Sequence, residues 1–169
     1  MEEQLSITRG KDACYELRSQ ITVESNLSDT FAFFANAENL NLITPDWLKF
    51  TIVSDTPIKM SSGTQIEYRL KIHSFPVKWR SEISLWDPPH RFVDTQVKGP
   101  YLMWSHMHTL DVSPDGQTIV NDYVKYKVLF GRFTNRLFVA RDLRRIFRYR
   151  NDATQKALSF EPRSNSRIK

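Results

Sequence analysis

The sequence predicts an α+β fold: a curved antiparallel β-sheet of about seven strands around one long C-terminal α-helix, with two short helices after the first strand. Three observations predict it. Residues 63–130 alternate between apolar and polar side chains and are broken only by short turns. Residues 132–160 then place apolar side chains three or four positions apart, the spacing of one long helix. One face of the sheet must be buried, and only that helix is large enough to cover it.

Each element follows from a local pattern. The first strand is predicted at residues 15–24, where most odd-numbered positions are apolar. Asn26 can cap a helix, and the apolar spacing after it predicts one or two short helices that end at Pro45. Ser113-Pro114-Asp115-Gly116 is a strong hairpin signal. Six further strands are predicted at residues 47–54, 63–73, 77–86, 91–97, 101–112 and 118–130.

Length and composition indicate a single domain. The chain has 169 residues, and we place the domain at residues 15–160, between segments 1–14 and 161–169 that are expected to be flexible. Cys14 is the one cysteine, which excludes an internal disulfide and a cysteine-based metal site and fits a reducing compartment. We see neither a signal-peptide pattern nor an apolar run of membrane-span length, so we expect a cytoplasmic protein.

Aromatic and basic residues suggest two kinds of partner. Aromatic side chains make up 12% of the chain, and large rings suit the wall of a cavity as well as a filled core. The net charge is +5, and Arg141, Arg144, Arg145 and Arg148 form a basic face on the predicted helix. Such a face is either solvated or makes weak contact with an anionic membrane. Nucleic acid is not expected, because basic and aromatic side chains are not interleaved on one surface.

Alternation between even- and odd-numbered positions predicts which side chains of the last two strands face the interior. In both strands the even-numbered positions include most of the apolar residues. A tight hairpin pairs residues whose numbers sum to about 230, which sets His108 opposite Asp122 and Trp104 opposite Tyr126. His106, two residues before His108, is then expected to face inward as well. Both histidines would therefore lie on the concave side of the sheet.

Five groups of residues along the chain carry a resemblance. They are Asn39-Leu40 with Pro45; Asp87-Pro88-Pro89 with Arg91-Phe92-Val93-Asp94; Gly99-Pro100-Tyr101 with Trp104-x-His106-x-His108; Asp122-x-Val124-x-Tyr126; and Arg145-Ile146-Phe147-x-Tyr149-Arg150. In this order and spacing, over residues 15–158, the chain resembles the SRPBCC superfamily, also called START or Bet v 1-like. Within it the chain looks like the ligand-binding branch related to polyketide cyclase/dehydrase domains. Leu129 departs from the pattern, where a proline is expected before the helix.

The resemblance implies a helix-grip fold with a deep cavity between the sheet and the long helix. Members bind lipids, sterols, quinones, polyketides and other apolar molecules, and a minority are enzymes. The resemblance also favours an inward-facing Asp94, whereas apolarity alone favours the opposite face of residues 91–97. The ligand-contacting residues predicted on this basis are Tyr68, Trp79, Asp94, Trp104, His106, His108, Asp122, Tyr126, Phe133, Leu137 and Leu143.

The polar members of that set allow several interpretations. Asp94, His106, His108 and Asp122 could orient the polar end of an apolar ligand, or could merely satisfy one another, since buried ionisable groups are costly unless paired. Two histidines on alternate strand positions could also bind a metal, but no third histidine is placed nearby, and we predict neither metal nor cofactor. His106, His108 and Asp122 could act as acid or base in a cyclase- or dehydrase-like enzyme.

Three functional hypotheses remain at this point. The first is a non-catalytic carrier or sensor for an apolar small molecule, the second is the enzyme, and the third is an interaction domain that binds a membrane or partner through its helix arginines. Trp47 and Phe50 are expected near the entrance of the cavity, in a lid or in ordinary core. The sequence does not identify the ligand.

Overall fold

The computed structural model describes residues 4–159, which contain one eight-stranded sheet in the order β1-β2-β8-β7-β6-β5-β4-β3. All neighbouring strands are antiparallel. The strands are β1 (Gln4–Arg9), β2 (Tyr15–Val23), β3 (Thr51–Ile52), β4 (Gln65–Ile72), β5 (Phe75–Asp87), β6 (Arg91–Lys98), β7 (Met103–Val112) and β8 (Thr118–Lys127). The predicted fold class is confirmed, with one strand more than expected.

The helices lie in two groups. Helix α1 (Leu27–Ala35) follows β2, and the Asn26 side chain caps it by accepting a 2.9 Å hydrogen bond from the backbone N–H of Asp29. Two 3-10 turns, Ala37–Asn41 and Asp46–Leu48, complete this group. The C-terminal helix comprises α2 (Gly131–Thr134), a π-helical turn (Asn135–Val139) and α3 (Ala140–Ala157).

The expectation of a flexible segment at residues 1–14 was wrong for β1. Gln4–Arg9 pairs with β2 in continuous antiparallel register, and the half-buried side chains of Leu5 and Ile7 pack against the core. An edge strand tolerates a polar sequence because its other side chains and one row of its backbone groups remain in solvent. The predicted flexible tail at 161–169 lies outside the described residues.

The predicted register and parity of the last hairpin are confirmed. Trp104 pairs with Tyr126, and His108 pairs with Asp122. Buried and half-buried positions alternate along β8 and along β7 up to Leu110, and the even-numbered side chains from Trp104 to Leu110 and from Thr118 to Tyr126 are buried. Phe92 on β6 is also buried, so the even-numbered face of β6 points inward, as the resemblance indicated. The sheet thus directs Asp94, His106 and Asp122 toward the helix.

The interior side of the C-terminal helix differs from the predicted stripe. Phe133 and Leu137 were expected to face the cavity, but their side chains are 70% and 48% exposed. The cause is the π-helical turn, which holds one residue more than an α-helical turn and so shifts the phase of everything before it. The buried positions after the turn are Ala140, Leu143, Phe147, Asn151 and Thr154.

Buried polar contacts fix this helix on the sheet. The Tyr126 hydroxyl donates a 2.9 Å hydrogen bond to Oδ1 of Asn135, inside the π-helical turn. Asn151 of α3 bonds to the Ser19 hydroxyl of β2 at 2.9 Å, and both side chains are buried. Such contacts stabilise one position of the helix, because a misplaced helix would leave buried donors without partners. Within residues 4–159, no helix combines the length and apolar character needed to cross a membrane.

Candidate functional site

Two adjoining cavities lie between the sheet and α3. The inner cavity has a volume of about 170 Å³ and the outer pocket about 430 Å³. Leu48, Ile72, Tyr101 and Ile146 line both of them. The two cavities therefore adjoin at these four side chains.

Most of the predicted ligand-contacting residues lie at or behind the wall of the inner cavity. Those that line it are Tyr68, Trp79, Asp94, Trp104, His106 and Leu143. His108, Asp122 and Tyr126 are buried behind that wall rather than exposed to the cavity. Phe133 and Leu137 line neither cavity, in keeping with their exposure on the surface.

An aromatic layer forms the sheet side of the inner cavity. The rings of Tyr68 and Trp79 stack with centroids 6.0 Å apart, and Trp79 meets Trp104 edge to face at 5.4 Å. Phe50, expected near the entrance, packs on Tyr68 at 5.2 Å and also lines the inner cavity. Offset and edge-to-face contacts between rings give a firm apolar surface. This surface suits a flat or aliphatic guest.

A histidine–aspartate cluster lies beside this layer. Nε2 of His106 donates a 2.8 Å hydrogen bond to Oδ1 of Asp122. Nδ1 of His108 lies 2.8 Å from the same oxygen but off the direction of a good hydrogen bond. The His108 ring stacks on Phe92 with centroids 4.3 Å apart, and Phe34 packs on it at 5.8 Å. The cluster is therefore sealed among rings.

Burial sets the charges of this cluster. Desolvation by burial lowers the pKa of His108 to about 3, and the neighbouring His106 adds to the effect, so His108 is neutral at physiological pH. Burial acts to raise the pKa of Asp122, but attraction to His108 and the hydrogen bond from His106 outweigh it and hold that pKa well below its usual range. Asp122 is thus an anion stabilised by two imidazoles.

These three residues could also hold a metal ion. Each offers one ligand atom, and the three atoms lie within 4.8 Å of one another. Two imidazoles and a carboxylate are ligands that zinc or iron accepts. Asp122 already lies against both imidazoles, however, so a metal is not needed to explain why these three groups are buried together.

Asp94 ends a second hydrogen-bonded chain, which lies on the cavity wall. The Ser81 hydroxyl donates to Oδ1 of Asp94 at 2.9 Å, and the Tyr68 hydroxyl lies 2.7 Å from Ser81. Burial raises the pKa of Asp94, against the opposing effects of His106, Ser81 and Arg150. Asp94 is therefore a carboxyl group with a raised proton affinity that faces the cavity.

Arg150 is the site residue that sequence reasoning missed. It lies on α3 three residues after Phe147, lines the inner cavity, and holds its guanidinium 5.7 Å from the Phe34 ring centroid. Its Nε is buried and has no hydrogen-bond partner. Among residues 4–159 no carboxylate lies within 4.0 Å of it. An arginine in phase with the buried helix positions was the signal that could have revealed it.

Two contacts hold the rim of the outer pocket to α3. Trp47 lies under the Arg145 guanidinium at 4.0 Å and meets Tyr149 edge to face at 5.7 Å. Nε2 of His73 lies 2.6 Å from Oδ2 of Asp142. Trp47 is thus at the entrance, as expected, and the predicted basic face is only partly free, because Arg145 covers an aromatic ring.

Comparison with known proteins supports the architecture. No family model matches the sequence, and neither does any curated protein. A solved structure of a protein from Mycobacterium smegmatis is 13% identical, with a TM-score of 0.66, and the match covers 92% of this chain and 98% of that chain. A major latex-like protein from Panax ginseng is 12% identical, with a TM-score of 0.64, over 86% of this chain and 98% of that chain.

An enzyme shares the architecture too. Norcoclaurine synthase from Thalictrum, solved as a point mutant with a transition-state analogue, is 15% identical with a TM-score of 0.64. That match covers 92% of this chain and 97% of that chain. At this level of identity the likenesses show the fold alone. The chain therefore has the helix-grip fold of the Bet v 1-like proteins.

Proposed function

We propose that this protein binds an amphipathic, largely apolar small molecule between its sheet and α3, as a carrier or sensor. The observation that carries the proposal is the inner cavity, whose aromatic wall is interrupted by Asp94, His106 and Arg150. Binding sites for small molecules typically combine an apolar lining with a few polar groups that fix orientation. Lipids, quinones, sterols and polyketide-like molecules all fit that description.

The volumes indicate how the guest lies. The inner cavity, at about 170 Å³, is smaller than a typical ligand site of roughly 300–1,000 Å³. The outer pocket adds about 430 Å³ and adjoins it. A guest of ordinary size therefore places one end in the inner cavity and extends past Ile72 and Ile146 toward Trp47.

The polar end of the guest is expected in the inner cavity, beside Arg150. Arg150 brings a positive charge there, and its buried Nε lacks a partner. The Tyr68 hydroxyl stays protonated because burial, with the neighbouring Asp94, raises its pKa. Hydrogen bonds to a charged group are stronger than neutral ones, and so a carboxylate or similar oxygen-bearing head group suits this end best.

A second function is favoured by one specific observation. Asp94 combines a raised pKa with a place on the cavity wall next to its strand partner His106, which is the arrangement of a general acid or base. Norcoclaurine synthase shows by its name that this fold supports catalysis. Asp94→Asn separates the two functions, because a carrier keeps most of its affinity whereas an enzyme loses its turnover.

A plug between the two cavities tests the carrier proposal. Ile146→Trp places an indole where the cavities meet, and we expect it to weaken the binding of anilinonaphthalene sulfonate and its displacement by dodecanoate by about tenfold or more. Fluorescence titration measures both. The matched control is Val112→Trp, which adds the same ring at an exposed position away from the cavities. Unchanged affinity in a folded Ile146→Trp variant contradicts the proposal.

A further inference from the structure

Large apolar side chains are exposed together at one end of the molecule. Phe75, Phe130 and Phe133 are 74%, 81% and 70% exposed, and Leu129, Leu137 and Phe138 are each about half exposed. We call these six residues the apolar rim. Single exposed apolar residues are common on a protein surface, but several of them in two segments that line one pocket, three of them highly exposed phenylalanines, indicate an interaction site.

The apolar rim surrounds the mouth of the outer pocket. Its residues come from the β4–β5 hairpin and from the segment that starts the C-terminal helix. Both segments line that pocket, through His73 and Ser74 on one side and Leu129, Thr134 and Val139 on the other. The Phe138 ring lies 6.3 Å from the ring of His73, which joins the two sides. A guest that leaves the pocket must pass this surface.

The backbone holds these side chains outward. Phe130 has a φ of 58°, in the left-handed region that bulky residues rarely adopt. The π-helical turn that follows rotates Leu137 and Phe138 to the exposed side. Irregular backbone of this kind costs free energy and persists mostly where function requires it. The exposure of Phe130, Leu137 and Phe138 therefore follows from the backbone geometry of this segment.

The segment that carries five of the six residues of the apolar rim is strongly basic. Residues 127–148 contain seven basic side chains, Lys127, Arg132, Arg136, Arg141, Arg144, Arg145 and Arg148, and one acidic side chain. That acidic residue is Asp142, whose side chain contacts His73. Arg132 and Arg136 lie between the phenylalanines of the apolar rim and are exposed. Exposed rings among uncompensated arginines match a lipid surface that is apolar below and anionic at its head groups.

We propose that the apolar rim docks on an anionic lipid bilayer, with the mouth of the outer pocket facing the lipid. Phe130 and Phe133 enter the boundary between head groups and acyl chains, and Arg132 and Arg136 contact the phosphates. The contact surface differs from the one that the sequence alone suggested, since Arg145 is engaged with Trp47. This docking goes beyond the proposed function, because it requires no guest in the cavity.

A second copy of the chain is the other occupant to consider. A two-fold symmetric contact would place the same surface of each copy face to face. Arg132 and Arg136 of one copy would then meet the equivalent arginines of the other, without acidic partners to neutralise them. Like charges brought together in this way oppose association. Charge complementarity therefore favours the lipid surface.

Vesicle sedimentation tests the proposal with the full chain. We expect the protein to sediment with phosphatidylcholine vesicles that contain phosphatidylglycerol and to stay in solution with phosphatidylcholine alone. In the double variant Phe130→Asn/Phe133→Gln, binding should fall by about tenfold or more, because apolar area no longer enters the bilayer. Asparagine is chosen at position 130 because it tolerates a positive φ.

Two further variants separate charge from apolar contact. Arg132→Gln/Arg136→Gln should weaken binding by about 30-fold, at about 1 kcal/mol for each basic residue near the surface, and should reduce its sensitivity to salt. Val112→Gln is the matched control: Val112 is 59% exposed at the far end of β7, about 30 Å from the start of that strand. This control should bind like the unchanged protein.

The outcomes distinguish the alternatives. Equal partition to both kinds of vesicle, or unchanged binding by the Phe130→Asn/Phe133→Gln variant, overturns the proposal. So does a concentration-dependent dimer that this double variant abolishes while no vesicle binding is seen. Ile146→Trp, which plugs the cavity, should still sediment with anionic vesicles. A failure of guest binding is thereby separated from a failure of docking.

Discussion

Replacing Asp122 by alanine is expected to lower the free energy of unfolding by about 3–5 kcal/mol, the typical effect of removing one partner from a buried ionic cluster. The reason is that His106 and His108, whose ring centroids are 3.8 Å apart, would lose the oxygen that both contact. Asp122→Asn keeps the shape and one accepting oxygen and should cost less. Urea denaturation followed by circular dichroism measures both variants.

The same cluster makes stability depend on pH. Because burial lowers the pKa of His108 to about 3, folded His108 stays neutral over a range where the unfolded chain, with a pKa near 6.5, takes up a proton. The unfolded state then binds more protons, and stability falls as the pH drops from about 6.5 toward 3, by up to about 1.4 kcal/mol per pH unit. The pKa of Asp122 is lower in the folded than in the unfolded protein, so its ionised form also stabilises the fold. That stabilisation is lost as the pH falls below the unfolded pKa of about 3.9.

His108→Phe isolates this effect. The variant removes the group that cannot be protonated in the folded state, so its stability should vary less between pH 6 and pH 4 than that of the unchanged protein, by about 1.4 kcal/mol per pH unit at most. His90→Gln, at an exposed histidine, is the control and should keep the original dependence. Parallel curves for His108→Phe and the unchanged protein would contradict the assigned charge state.

Arg150→Met should weaken the binding of dodecanoate by about 10- to 100-fold, the range expected for one charge-assisted hydrogen bond. The melting temperature should stay the same or rise, because the buried Nε of Arg150 has no partner to lose and methionine fills similar space. Weaker ligand binding together with an unchanged or higher melting temperature is the result expected for a residue that serves binding at a cost in stability. Isothermal titration and thermal denaturation provide the two readouts.

Dodecanol supplies the internal comparison for Arg150. It has the same chain without the negative charge, so its affinity should change little in Arg150→Met. The control on the protein is Arg148→Met, which removes an exposed arginine from the same helix and should leave dodecanoate binding intact. An equal loss of affinity for acid and alcohol would show that Arg150 acts through packing rather than through its charge.

Alternation along strands was the most informative part of the sequence. It placed His106, His108 and Asp122 on the inner face, and the hairpin turn at Ser113–Gly116 fixed their register, because a tight turn leaves few ways to pair two strands. β1 was missed although Leu5 and Ile7 alternate, because its polar neighbours resemble those of a frayed terminus. Asp94 could be placed only through the resemblance, since the apolar residues of its strand favour the opposite face.

Helical spacing was informative only where the helix is regular. The residues that pack against the sheet after the π-helical turn, such as Leu143 and Phe147, are in phase with the predicted stripe. Phe133 precedes the π-helical turn and Leu137 lies within it, and no residue type in this segment predicts such a turn. For Arg150, helical spacing could have predicted an inward-facing side chain, but its place on the cavity wall depends on where α3 crosses the sheet, which is a tertiary property. The exposed position of Phe130 is invisible to periodicity.

The central claim is that the space between the sheet and α3 holds a guest molecule. Native mass spectrometry of the gently purified protein, recorded before and after incubation with dodecanoate, tests it most directly. We expect a non-covalent adduct above the 19.9 kDa chain in at least one of the two spectra, and none in Ile146→Trp. The bare mass alone in both spectra of the unchanged protein would contradict the claim.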